Sequence, residues 1–169
     1  MPVTYDKDRM LLPRGRRPVR RLTTLRLIRE GSFPAPEGYP PKGTPIRKAA
    51  DVYVRMAPYA AREVVEVLWL LSLDTQSRVI GDAPEVITRG LLNSSLVHPR
   101  EVFCAAITAR AAGIIVVHNH PSGDPTPSTE DRATTRQLAA AGRLLDVPLY
   151  DHVILGEGRY LSLAEAGLL

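Results

Sequence analysis

The run Val64-Val65-Glu66-Val67-Leu68-Trp69-Leu70-Leu71-Ser72-Leu73 is almost continuously apolar and of strand length. A strand with one wet face alternates apolar and polar residues with period two; a run like this one suits a strand covered on both faces. The chain therefore has to build packing layers above and below a sheet, with Trp69 in the core. Other segments supply the parts. Residues 113–118 and 147–155 read as further strands, and residues 159–163 as the returning strand of a hairpin after the turn Gly156-Glu157-Gly158. Residues 46–57 carry apolar side chains at helical spacing and should stop at Pro58, while 98–112 and 128–145 read as two more helices. A turn at Asp74-Thr75-Gln76-Ser77 leads to residues 78–81, expected to start a partner strand, and residues 90–97 read as a short connection. A further strand is expected at 21–29. Alternating strands and helices indicate an α/β (α+β layered) domain, a mixed β-sheet flanked by helices.

At 169 residues there is room for one domain with a real core and not for two comfortable ones. Residues 31–45 are a loop or linker, since eight of the fifteen are Gly or Pro. No 18-residue apolar run exists, so no transmembrane helix is expected, and the charged first twelve residues lack the apolar stretch of a secretory signal. A single cysteine precludes an internal disulfide and fits a cytoplasmic location. The net charge of +4 is uneven. Residues 1–30 hold nine Lys/Arg against three Asp/Glu, net +6, leaving a net of −2 for the remainder. This basic arm, centred on residues 1–20, suits contacts with nucleic acid phosphates or an acidic partner, or a simple solubilising role. No aromatic residue is interleaved among its arginines, so base stacking is not expected.

The chemistry concentrates in residues 118–131. His118 and His120 follow the apolar run at 113–117, and on a strand residues i and i+2 share a face, so both imidazoles can converge on one point. Pro121 ends the strand, a stiff loop with Gly123, Pro125 and Pro127 follows, and Asp131 arrives from the first turn of a helix. Two nitrogens and a carboxylate on a fixed frame is a pattern of catalytic zinc sites, which keep one coordination position open. A second interpretation competes. Ser128-Thr129-Glu130-Asp131 is also a capping box, in which Asp131 faces its own backbone.

The spacing His-x-His-Pro, six residues, Ser, two residues, Asp resembles the JAMM motif of JAB1/MPN metalloproteases. More closely, residues 118–128 resemble the RadC-like JAB-domain branch. So do His98-Pro99-Arg100-Glu101-Val102-Phe103 upstream and residues 151–162 downstream. The resemblance covers about residues 20–169. It implies a JAB1/MPN-like fold, with layering loosely similar to the cytidine deaminases, over residues 21–169. It also implies one Zn2+ per chain held by His118, His120 and Asp131, an oxyanion-stabilising role for Ser128, and a catalytic glutamate at the start of an apolar strand. Glu63 and Glu66 compete for that place. Aligning Leu73-Asp74-Thr75-Gln76 with the family pattern favours Glu66, and two residues three apart on one strand face opposite ways.

The implied function is a zinc-dependent metallohydrolase cutting peptide or isopeptide bonds, with a protein or peptide as partner. The rival is a non-catalytic binding module associated with DNA repair or recombination, carrying a structural metal and using the basic arm. RadC-like proteins often carry an N-terminal helix-hairpin-helix region, for which this chain has no room, and that weakens the rival. A nucleobase deaminase would need Pro-Cys-x-x-Cys, and one cysteine excludes it. Cys104 reads as a buried, inert thiol, His98 as a capping or packing residue, and His152 as a hydrogen-bonded structural histidine with a possible place behind the metal. Nothing in the sequence fixes the oligomeric state.

Overall fold

The computed structural model describes residues 40–41, 43–90 and 97–169. The basic arm, the strand expected at 21–29, linker residues 31–39 and 42, and residues 91–96 of the 90–97 connection lie outside these residues. Within them the order is α1 (Ala49–Ala60), β1 (Val67–Leu73), β2 (Glu85–Arg89), α2 (Pro99–Thr108), β3 (Gly113–Asn119), α3 (Thr129–Leu145), β4 (Leu149–Leu155) and β5 (Tyr160–Ser162). The strands form a mixed sheet in the order β2-β1-β3-β4-β5, with β3 and β4 parallel and the other neighbours antiparallel. This is the mixed α/β sheet flanked by helices that the sequence implied.

Every residue of β1 and of β3 is buried, as an uninterrupted apolar run requires. Alternation divides them between two cores. Val67, Trp69, Leu71, Leu73, Ile115 and Val117 pack against Val52 and Met56 of α1 on one face. Leu68, Leu70, Ile114 and Val116 meet Phe103 of α2 and Leu138 of α3 on the other. Each large side chain buried this fully contributes roughly 1.5–3 kcal/mol. Slipping β3 by one residue would exchange the two sets and carry His118 to the wrong face. The same burial that holds the sheet thus fixes where the imidazoles point.

Several local expectations change. Pro58 does not stop α1, which starts at Ala49 and runs to Ala60. Its start is set by Asp51, whose carboxylate accepts the N–H groups of Arg47 and Lys48. Pro58 falls in the last turn, and the carbonyl it leaves without an intrahelical partner belongs to Val54, on the exposed face where water can satisfy it. Residues 78–81 make only isolated bridges, Pro45 with Arg78 and Leu73 with Val79; the ladder partner of β1 is Glu85–Arg89. There Asp74 ties down the Gln76 and Arg78 N–H groups and Gly81 turns at φ +95°, so the chain leaves the sheet before returning. β1 itself starts at Val67, and Val64 is exposed. The helix expected through 112 ends at Thr108, followed by Arg110 in the left-handed region. Cys104 is exposed, not buried, because α2 turns Val102, Phe103 and Ala106 inward and residue 104 lies on the other side. His98 occupies the N-cap of α2, though its side chain makes no capping hydrogen bond.

Candidate metal centre

His118 is the penultimate residue of β3 and His120 follows the strand's end, where its N–H still donates to Leu155 O of β4. Their Nε2 atoms lie 2.9 Å apart. The antiparallel register pairs Leu68 with His118, and continuing it by two residues sets Glu66 opposite His120, on the same face. Glu66 Oε1 is 3.7 Å from His118 Nε2 and 3.9 Å from His120 Nε2. Asp131 reaches over from α3, with Oδ1 3.2 Å from His118 Nε2 and Oδ2 3.5 Å from His120 Nε2. One donor atom from each of Glu66, His118, His120 and Asp131 falls within 4.8 Å of all the others. Glu63 is not among them, since its carboxylate pairs with Arg89 of β2.

Asp131 caps its helix and faces the two histidines at the same time. Oδ2 accepts the Ser128 N–H at 2.8 Å and the Ser128 hydroxyl at 2.7 Å, while Ser128 Oγ accepts the Asp131 N–H at 3.0 Å. That is a complete capping box at the start of α3. Oδ1 meanwhile faces His118. The box orients the carboxylate that the imidazoles meet. Ser128 belongs to the site in this capacity, with its single hydroxyl proton directed at Asp131.

The loop joining the two halves of the motif is fastened from below. Gly123 O accepts the Glu157 N–H at 3.0 Å and Arg159 Nε–H at 3.2 Å. A Cβ at Gly156 would sit 2.4 Å from Gly123 O and 2.8 Å from Pro125 Cδ. The β4–β5 turn can come this close to the loop only without a side chain there. His120 Nδ1 lies 2.7 Å from Asp124 O. A carbonyl only accepts, so Nδ1 donates and the lone pair of neutral His120 is on Nε2, facing the cluster.

Burial raises the Glu66 carboxyl pKa, against the lowering effect of His118 and His120, and the Asp131 charge adds to the rise. Burial acts to raise Asp131 as well, but its contacts with the imidazoles of His118 and His120 and with Ser128 outweigh it and hold the group well below the usual carboxylate range. His120 is raised, chiefly by its hydrogen bond to Asp131 and against burial. His152, behind the cluster, is held well below the ordinary imidazole value by burial. In metal-stripped protein the folded state therefore holds the His120 proton more tightly than the unfolded chain does. That stabilisation is complete below about pH 6.5, the unfolded value, and is lost as pH rises through the raised folded value. The melting temperature of chelator-treated protein should fall as pH rises above about 6.5, more steeply than that of His120→Gln. Equal slopes would assign the effect to another group.

Two imidazole nitrogens 2.9 Å apart, flanked by carboxylate oxygens on two sides, repel unless a cation or proton lies among them. The donor set fits a divalent metal of borderline softness.

Three further residues build the site: Asn119 and Thr135, which do not stand out in the sequence, and His152, read there as a structural histidine with a possible place behind the metal. Asn119, between the two histidines, is buried; its Oδ1 accepts the Val67 N–H at 2.8 Å and its Nδ2 donates to Val65 O at 3.0 Å. It grips the backbone on both sides of Glu66. Asn119→Ala should cost about 1–3 kcal/mol by orphaning these groups, measurable by urea unfolding, and should release Glu66 from the imidazoles while metal binding persists. Metal loss from this variant equal to that from His118→Ala would show that Asn119 supports the ligands instead. His152 and Thr135 are the other two, and lie directly behind His118. Thr135 was detectable in principle, one helical turn after Asp131.

A family model described as the RadC-like JAB domain matches residues 46–168. A UPF0758 protein of Methanococcoides burtonii is 48% identical over 124 residues, 73% of this chain and 53% of the relative. One from Staphylococcus carnosus is 49% identical over 126 residues, 75% of this chain and 54% of the relative. A third, from Thermotoga maritima, is 50% identical over 117 residues, 69% and 50% of the two chains. The chain thus spans about half the length of the curated relatives it matches.

Proposed function

The chain belongs to the RadC-like JAB domain family, and from that membership and the geometry of its four-residue cluster we propose that it is a zinc-dependent hydrolase of peptide or isopeptide bonds. The observation that carries the reading is the convergence of Glu66, His118, His120 and Asp131 within 4.8 Å at the end of β3. His118, His120 and Asp131 are the ligands in this reading, one zinc per chain. Zinc there would supply a water of lowered pKa and a Lewis acid for a carbonyl oxygen.

The chain's own residues have distinct tasks. Glu66 has the side chain open to solvent in part and its pKa raised by burial, which brings a carboxylate toward the range useful to a general base near neutrality. It accepts the proton of the attacking water and returns it to the departing amine nitrogen. Ser128 braces Asp131, and its hydroxyl donates to the carbonyl oxygen of the substrate by turning from Asp131 Oδ2. No described helix is long and apolar enough to cross a membrane, and a single, exposed cysteine fits a reducing, cytoplasmic setting. The nucleic-acid reading rests on the basic arm alone, outside the described residues.

The test is metal content and turnover together. Purified protein should carry about one zinc per chain by elemental analysis, His118→Ala should lose it, and a panel of peptide and isopeptide-linked substrates should be cut only by the loaded wild type. Stoichiometric zinc in His118→Ala would overturn the ligand assignment. Loaded protein inert toward every amide in the panel would overturn the hydrolase reading.

A further inference from the structure

Behind the cluster a buried chain of hydrogen bonds runs from one ligand candidate back to another. His118 Nδ1 is 2.8 Å from His152 Nε2, and His152 Nδ1 is 2.6 Å from Thr135 Oγ1. Thr135 Oγ1 is in turn 2.6 Å from Asp131 O. His118, His152 and Thr135 are all at most 1% exposed. Parallel pairing of β3 and β4 sets His152 beside Val116, so it shares the face of His118, and α3 brings Thr135 down on it.

The chemistry of these groups permits one direction of donation. Asp131 O is a carbonyl and only accepts, so the Thr135 hydroxyl gives it its one proton. Thr135 Oγ1 must then accept from His152, which puts a proton on His152 Nδ1. Full burial disfavours the imidazolium, so neutral His152 has its lone pair on Nε2. That lone pair accepts from His118 Nδ1–H, and the remaining His118 nitrogen, Nε2, points at Glu66, His120 and Asp131. We infer that Thr135 and His152 are positioning residues that fix the His118 tautomer with Nε2 as the free donor atom, starting from the backbone carbonyl of Asp131. The same chain ties the ring of His118 to the first turn of α3, so the two sides of the cluster move together. The consequence for metal affinity rests on the ligand reading above; the tautomer itself does not.

The test uses the full chain. Nitrogen-15 spectra of the metal-free protein should show His152 neutral, with its proton on Nδ1. Thr135→Val removes the hydroxyl at almost constant volume, frees His152 to move its proton to Nε2, and should leave His118 in mixed tautomers. Zinc affinity should fall about 10- to 100-fold, the range for outer partners of metal ligands. Thr135→Ser should restore both the spectrum and the affinity, which a loss of packing alone would not predict. A His152 proton on Nε2 in the wild type would overturn the inference, as would Thr135→Val with an unchanged spectrum and unchanged affinity. If the wild type binds no zinc, the ligand reading fails and the nitrogen-15 result still decides the tautomer.

Discussion

Glu66→Gln is expected to reduce amide hydrolysis by about 10²- to 10⁴-fold, the typical share of a general acid–base group, while zinc content stays near one per chain. Glutamine keeps the shape and loses the basicity. Its neighbours argue for a separation of roles: Oε1 lies 3.7 Å and 3.9 Å from the two imidazole nitrogens, farther than Asp131 Oδ1, which is 3.2 Å from His118. Nothing in the helix cap or the buried chain behind His118 involves Glu66, so folding should be unaffected. Replacing a half-buried carboxyl with an amide relieves part of the cost of burying its charge. Zinc content and turnover, measured on one preparation, separate the alternatives. Zinc lost along with activity would make Glu66 a fourth ligand, and activity retained would remove it from the reaction.

Asp131→Ala should do two kinds of damage at once. Metal affinity should fall by more than the roughly 10- to 100-fold typical of outer partners, because an oxygen facing His118 is gone. The fold should also lose about 0.5–2 kcal/mol, because the carboxylate that caps Ser128 N–H is removed. Ser128→Ala separates the two. It removes the hydroxyl that bonds Asp131 on both sides and leaves the carboxylate, so its stability loss should be similar and its metal loss smaller. The acid limb gives a second check. Asp131 is held below the ordinary carboxylate range, so its stabilisation is complete above about pH 4 and is lost as pH falls through the lower folded value. The gap in unfolding free energy between wild type and Asp131→Ala should hold from pH 7 to about 4 and shrink below that. A gap already closed at pH 6 would mean that the carboxylate is not held by these partners.

The fold was legible where burial wrote itself into an unbroken pattern. Residues 67–71 and 114–117 are apolar throughout because helices cover both faces, and the sequence shows this directly. It misled where a local signal competes with tertiary context. Pro58 reads as a breaker, yet in the last turn of α1, with Val54 toward solvent, the lost hydrogen bond costs little. The turn at 74–77 suggests a strand returning directly beside β1, as in a hairpin, but the outer neighbour of β1 is Glu85–Arg89. Cys104 sits among apolar neighbours in sequence, but on a helix adjacent residues point in different directions.

By itself the sequence determined the parts of the centre that are local: two histidines on one face of a strand end, and an aspartate placed by a short stiff loop and a capping box. These follow from the periods of strand and helix, which need no knowledge of the rest of the chain. Family resemblance added Glu66. The tertiary structure decided what distance in sequence conceals. It showed that Glu66 rather than Glu63 faces the imidazoles, that Asn119 grips the backbone around it, and that His152 and Thr135 stand behind His118. It also showed that capping and facing the histidines are compatible for Asp131, whose Oδ2 takes the Ser128 N–H and hydroxyl beside His120 while Oδ1 faces His118. Strand pairing and helix docking join residues 17 to 65 positions apart, and neither is written in any local period.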